Sequence, residues 1–200
     1  SNPEDIIPLY GGNSLDEYDV ATLRNFDAAY VSNLGSRDLS RLSQLLSDYV
    51  ESGGCLILDT GNIGREYEME DLPDPSPVGA IVYERSYLML NSIISHDITE
   101  NVDLTKFSTP VPYTVSHAKS LKNGALALLY DEDKPLLVYW ERGLGKVFWT
   151  GLRLPYIVML HADDETKSEV EARLLVNLLR QAASAGTEAS WSLVRFEQKS

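Results

Sequence analysis

The most constraining feature of this chain is a strand–helix–strand run between residues 26 and 58. Leu39, Leu42, Leu45, Leu46, Tyr49 and Val50 recur at spacings of three and four, which lines up one apolar stripe on an α-helix. Ser36 or Asp38 stands where the first free N–H groups need a side-chain acceptor. Gly53-Gly54 stands where the helix needs a residue that accepts left-handed backbone. The helix is therefore expected over 36–52. On either side lie short apolar runs, 26–33 and 55–58, which read as strands buried on both faces. Joints this short make a βαβ unit, with parallel strands and a right-handed crossover.

The remaining segments extend that unit. Residues 6–10 read as a further short strand and 125–130 as another. The stretch from Gly61 to Gly79 is long and irregular, and 81–94 is apolar but fits strand and helix equally. Residues 136–140 and 147–150 flank Glu141-Arg142-Gly143-Leu144-Gly145-Lys146, a hairpin with a glycine turn. A last helix is expected over 163–185. Asp163, Asp164 and Glu165 stand in its first turn, where carboxylates oppose the helix dipole. Val170, Leu174, Leu175, Leu178 and Leu179 form its buried face, and Gly186 ends it. The expected architecture is α/β, a flavodoxin-like three-layer sandwich: a mainly parallel sheet with helices on both faces and a late antiparallel hairpin. Residues 1–186 would form this domain. Trp191, Leu193 and Val194 suggest a short strand in a tail, 187–200, that reads as the start of a following domain.

Composition narrows the partners. Acidic residues outnumber basic ones 30 to 17, a net charge of -13, which repels a nucleic-acid backbone or an anionic membrane surface. No apolar run approaches the ~18 residues of a spanning helix, so no membrane insertion by this stretch is expected. With one cysteine, Cys55, no internal disulfide can form. The start, Ser1-Asn2-Pro3, lacks a basic stretch followed by an apolar one, and the chain reads as a fragment of a longer protein. Its compartment is not legible; the soluble portion of a membrane-associated or secreted protein fits.

Three segments taken in order resemble a known family. They are the Phe26–Asn33 strand with its helix and Val50-Glu51-Ser52-Gly53-Gly54-Cys55-Leu56-Ile57; Ser95-His96-Asp97-Ile98-Thr99, similar to a His-Pro-Ile-Thr pattern; and Pro135–Trp140 with the Gly143-Leu144-Gly145-Lys146-Val147 turn and a closing helix ending in Leu174-Leu175-Val176-Asn177-Leu178-Leu179. This order is similar to the class I glutamine-amidotransferase-like superfamily, in particular non-catalytic branches such as the β-galactosidase trimerisation domain and the ThuA-like proteins. The resemblance covers roughly residues 20 to 182. It implies the fold. The family's enzymes carry a cysteine within Gly-x-Cys-x-Gly on a tight strand-to-helix turn, completed by a late histidine and glutamate. Here Leu56-Ile57-Leu58 leads into Asp59-Thr60-Gly61-Asn62, so Thr60 stands at the nucleophile's place. Cys55 lies at the other end of that strand and is expected in the core. No His-x-Glu pair precedes the last helix.

The expected use is therefore non-catalytic: association with other domains of the same chain, with a protein partner or with a second copy, or ligand binding. A hydrolase or amidase reading rests on Thr60, oriented by Asp59 and served by His96 or His161 as base, since a hydroxyl nucleophile needs an adjacent base. The plainer reading gives Asp59, Thr60 and Asn62 to the backbone of a turn, and His96 to the turn before Asp97. His117 is a lesser candidate. His161 with Asp163, Asp164 and Glu165, and the acidic run Glu66, Glu68, Glu70, Asp71, carry oxygen and imidazole groups but no metal-loop spacing; no metal or cofactor site is expected. Gly61-Asn62-Ile63-Gly64 lacks the rest of a phosphate-binding fingerprint. Tyr139, Trp140, Phe148 and Trp149 on the hairpin would send one face to the core, leaving the other as an aromatic surface for a partner or a sugar.

Overall fold

The structure is a computed structural model and describes residues 7–12, 15–32, 38–61, 67–107, 113–155, 158, 163–184 and 192–197. Along the chain run β1 (Ile7–Gly12), a single-turn helix α1 (Val20–Leu23), β2 (Ala28–Ser32), α2 (Leu39–Glu51), β3 (Cys55–Asp59), β4 (Tyr67–Met69), β5 (Val78–Ser86) and β6 (Leu90–Asn91). Two 3-10 turns at 97–99 and 104–107 precede β7 (Tyr113–Leu121), β8 (Leu126–Asp131), β9 (Lys134–Arg142), β10 (Gly145–Thr150), α3 (Glu165–Ala183) and β11 (Ser192–Glu197).

The ends of α2 follow from its sequence. Asp38 is the N-cap, its carboxylate accepting the Arg41 N–H at 2.9 Å. Gly53 closes the turn after the helix with φ at +103°, a conformation that strains any residue carrying a Cβ. The other long helix starts the same way, with Asp164 accepting from the Lys167 N–H at 3.2 Å.

Eight strands form the main sheet in the order β1-β11-β2-β3-β10-β9-β8-β6. Neighbours from β1 to β10 are parallel; β10, β9, β8 and β6 pair antiparallel. The antiparallel part thus extends beyond the expected hairpin. A separate antiparallel sheet, β4-β5-β7, adds to it. The architecture is mixed α/β, with a mixed sheet covered by helices. The segment 81–94, open between strand and helix, is largely β5 and β6, and β4 interrupts the stretch expected to be irregular. Ser192–Glu197, read as part of a tail, instead lies inside the main sheet, paired parallel with β1 on one side and β2 on the other.

Both faces of the central strands are covered. Ala28, Tyr30, Cys55, Ile57 and Phe148 pack with Leu174, Leu178 and Ala182 of α3. Ala29, Val31, Leu56, Leu58, Val147 and Trp149 pack with Leu42, Leu46, Tyr49 and Val50 of α2 and with Val78, Ile81, Tyr83 and Ala118 of the small sheet. This explains why the strand segments are continuously apolar: neither face meets water, so alternation has no function. Among the described residues no helix is long and apolar enough to cross a membrane.

Leu46 is fully buried on α2, so Leu46→Ala is expected to lower stability by about 3 kcal/mol through lost burial and a residual cavity. Urea denaturation reads the change directly; a loss well under ~1 kcal/mol would mean that α2 does not pack on the sheet as described.

Candidate functional site

The register of the parallel strands brings polar residues to one level. Asp59 ends β3 opposite Ser32 of β2 and Thr150 of β10. In open α/β sheets, ligand crevices form beyond the carboxyl ends of parallel strands, and these are such ends. Asp59, Thr60, Ser32 and Thr150 are all buried, and buried polar groups require partners. Asp59 accepts from the Tyr30 hydroxyl and, at 2.9 Å, from the Gly61 N–H. The Thr60 N–H donates to the Thr150 carbonyl at 3.0 Å. The Thr150 hydroxyl oxygen accepts from the Leu152 N–H at 3.2 Å.

The Thr60 hydroxyl is the atom on which a hydrolytic reading depends. It lies 2.6 Å from the Ser116 hydroxyl of β7, and Thr60 is 3% exposed. Ser116 is fully buried, and its N–H donates to the Gly151 carbonyl at 3.0 Å. The approach there is close enough that a Cβ on Gly151 would stand 1.8 Å from the Ser116 carbonyl oxygen. The two hydroxyls share one hydrogen bond across a seam between the two sheets. A hydroxyl–hydroxyl pair supplies no base.

The histidines do not supply one either. His96 caps the 97–99 turn, its Nδ1 accepting the Ile98 N–H at 3.2 Å. Its ring lies 6.2 Å from that of Tyr139. Burial holds its imidazole below the ordinary pKa, against the opposing pull of Asp97. Among the described residues no imidazole hydrogen-bonds Thr60. Thus Asp59 and Thr60 come together, as adjacent residues must, while His96 serves its own turn; His161 lies outside the described residues, as do Asn62, Ile63, Gly64 and Glu66.

Cys55 sits at the opposite end of β3, level with Lys146, 1% exposed. Burial pushes its thiol up to about 12, which keeps it protonated and unreactive. Glu70 and Asp71 are exposed, and among the described residues no group of His, Cys, Asp and Glu is arranged to hold a metal ion. The aromatic surface expected on the hairpin is not formed: Phe148 and Trp149 are buried against the two opposite faces of the sheet, since both faces are covered. Trp140 is flanked by Lys122 and Arg142, at 5.8 and 5.6 Å from its ring centre. Arg142 in turn binds Glu51 at 3.0 Å and Asp74 at 2.6 Å, so this corner is an ion-paired brace between α2, the 70–78 loop and the hairpin.

A second polar cluster was not legible as a site. His117, next to Ser116 on β7, is 1% exposed and lies between Asp131 of β8 and Glu84 of β5. Lys134 of β9 reaches the same Glu84 oxygen at 2.6 Å. Burial alone would push the Glu84 carboxyl up. The Lys134 hydrogen bond together with the His117 and Lys134 charges outweighs it and holds the group below its ordinary value.

No family model matches this sequence, and no curated protein matches it. Among solved structures, the cytoplasmic protein STM3548 from Salmonella typhimurium is similar in fold, with a TM-score of 0.50 and 15% identity over 78% of this chain and 74% of that one. The cytoplasmic protein STM1381 from Salmonella typhimurium LT2 aligns at a TM-score of 0.44 and 16% identity, covering 79% of this chain and 75% of that one. At such identity the first likeness speaks to the α/β fold alone.

The Glu84 environment sets a pH dependence. A carboxyl depressed in the folded state contributes stability that is present above its unfolded value and lost as pH falls through the folded one. Glu84→Gln is therefore expected to destabilise at neutral pH, and its difference from the parent to shrink in acid. Urea titrations at about pH 7 and about pH 3 bracket the ordinary glutamate range. A difference that is constant or grows in acid would contradict the assigned ion pairs.

Proposed function

We propose that this chain is a non-catalytic module of a larger protein, of the glutamine-amidotransferase-like type in a flavodoxin-like three-layer form, and that it serves association or ligand binding. One observation carries the reading. The hydroxyl at the place of the family's nucleophile is buried and hydrogen-bonded to another hydroxyl, Ser116, with no imidazole on it among the described residues. A nucleophile needs a base within about 2.6–3.2 Å and access to substrate, and Thr60 has neither feature. The polar groups at the strand ends are spent on one another, which makes a rigid end to the sheet rather than a reactive one.

The direct test is a panel of ester, amide and glutamine substrates offered to the protein and to Thr60→Ala. No turnover above buffer is expected from either. Turnover by the parent that vanishes in the variant would restore the hydrolase reading and sink this one. Thr60→Ala is expected to lower stability by about 1–2 kcal/mol, because it leaves the buried Ser116 hydroxyl without its partner.

Association has its own measurement. Light scattering on this chain and on the longer protein containing it is expected to show self-association or capture of a partner domain in at least one form. A monomer in both, with no partner and no ligand, would count against an assembly role.

A further inference from the structure

His117 is placed so that both of its ring nitrogens face carboxylates. Nε2 is 3.0 Å from Asp131 Oδ2, and Nδ1 is 2.7 Å from Glu84 Oε1, off the line of a straight hydrogen bond. The partners belong to different sheets. Glu84 is on β5, paired with β7 in the three-stranded sheet, and Asp131 is on β8 of the main sheet. Two further contacts bind the same carboxylates. The Ser86 hydroxyl and, at 2.8 Å, the Met89 N–H donate to Asp131, while Lys134 of the main sheet donates to Glu84 at 2.6 Å. Asp133 adds its charge near Lys134. Among the described residues no other charged side chain pairs with the imidazole.

A neutral imidazole has one N–H and one bare nitrogen, so it cannot donate to two carboxylates; only the doubly protonated ring can. Charge gives the same answer. Glu84 and Asp131 carry two negative charges, and Lys134 supplies one positive. A buried cluster with uncompensated charge is costly, and the second positive charge is available only on His117. We infer that Glu84, His117 and Asp131 form a proton-operated latch that holds the three-stranded sheet on the main sheet.

The latch has a direction. The Asp131 side chain is 4% exposed, whereas the Glu84 side chain is 30% exposed and keeps Lys134. When the imidazole loses a proton, the dry carboxylate retains Nε2–H, and Glu84 is the side that releases. The bare Nδ1 then faces a carboxylate oxygen, and the repulsion acts on β5 and β7. Ser116, the next residue on β7, makes the N–H bond to Gly151 and the hydroxyl contact to Thr60 that join the two sheets. Its amide is therefore the natural reporter of docking.

The experiment is nitrogen-detected NMR of the His117 ring together with hydrogen exchange at the Ser116 amide, both followed as a function of pH on the parent chain. Two protonated ring nitrogens are expected on the acid side of the His117 titration and a bare Nδ1 on the basic side. Over the same step, and after correction for the intrinsic pH dependence of exchange, protection of the Ser116 amide is expected to fall roughly tenfold, as for loss of one charged hydrogen bond. His117→Gln, which keeps a donor for Asp131 but cannot titrate, is expected to abolish the step. A ring that stays neutral throughout, a bare Nε2 in place of Nδ1, protection that does not follow the ring titration, or an unchanged step in His117→Gln would each overturn the latch. The first three need only the parent protein, so a misfolded variant would not spare the inference.

Discussion

Every layer of this molecule is held against β3. Leu56, Ile57 and Leu58 are fully buried, with a parallel neighbour on each side and a covered face above and below. Because no part of the strand meets water, its termini decide what the protein can do chemically. At the start, Cys55 is shut in the core and its thiol stays protonated. At the end, Asp59 and Thr60 emerge into a place that is still dry, where each polar atom must find a protein partner. The same burial that stabilises the strand disarms both of its chemically suggestive ends.

That constraint also accounts for the seam between the sheets. A hydroxyl as buried as that of Thr60 needs a partner, and Ser116 supplies it from another sheet rather than from a local turn. The backbone bond from Ser116 to Gly151 fixes the approach, and only a residue without a Cβ fits at 151. The family resemblance drawn from the sequence puts a nucleophile at Thr60; the geometry puts a structural hydrogen bond there. The two differ by the presence of a base, and a base is a property of the fold around the residue rather than of the residue.

What could be read from the sequence follows from what is local. The α2 stripe, its Asp38 cap, the Gly53 stop and the 136–150 hairpin are written in neighbouring residues, and the structure has them within a few positions. β7 escaped because its pattern fails where it matters: Ser116 and His117 are both polar and both buried, on opposite faces, so alternation of apolar and polar residues breaks in mid-strand. β11 escaped for a different reason. Its partners, β1 and β2, lie more than 150 residues earlier in the chain, and no local period encodes a pairing at that distance. Asp59 and Thr60 were legible as neighbours on a turn. Ser116 was not, because its role appears only when a remote strand is laid beside them.

The two polar clusters meet on β7, and their chemistry differs in a way that matters for coupling. The Thr60–Ser116 pair is neutral and closed: each hydroxyl has its partner, and no proton need enter or leave. The His117 cluster is ionic, and its balance changes with one proton. Ser116 and His117 are consecutive on one strand, so a shift of β7 that relieves repulsion at Glu84 must be absorbed at Gly151 and Thr60. Close-packed interiors do not deform continuously. A strand pinned at both faces moves as a unit or stays put, which makes β7 a two-position element biased from one side by charge and read on the other by a hydrogen bond. A fold with an inert strand end can in this way still carry a chemical signal, through the strand that seals it.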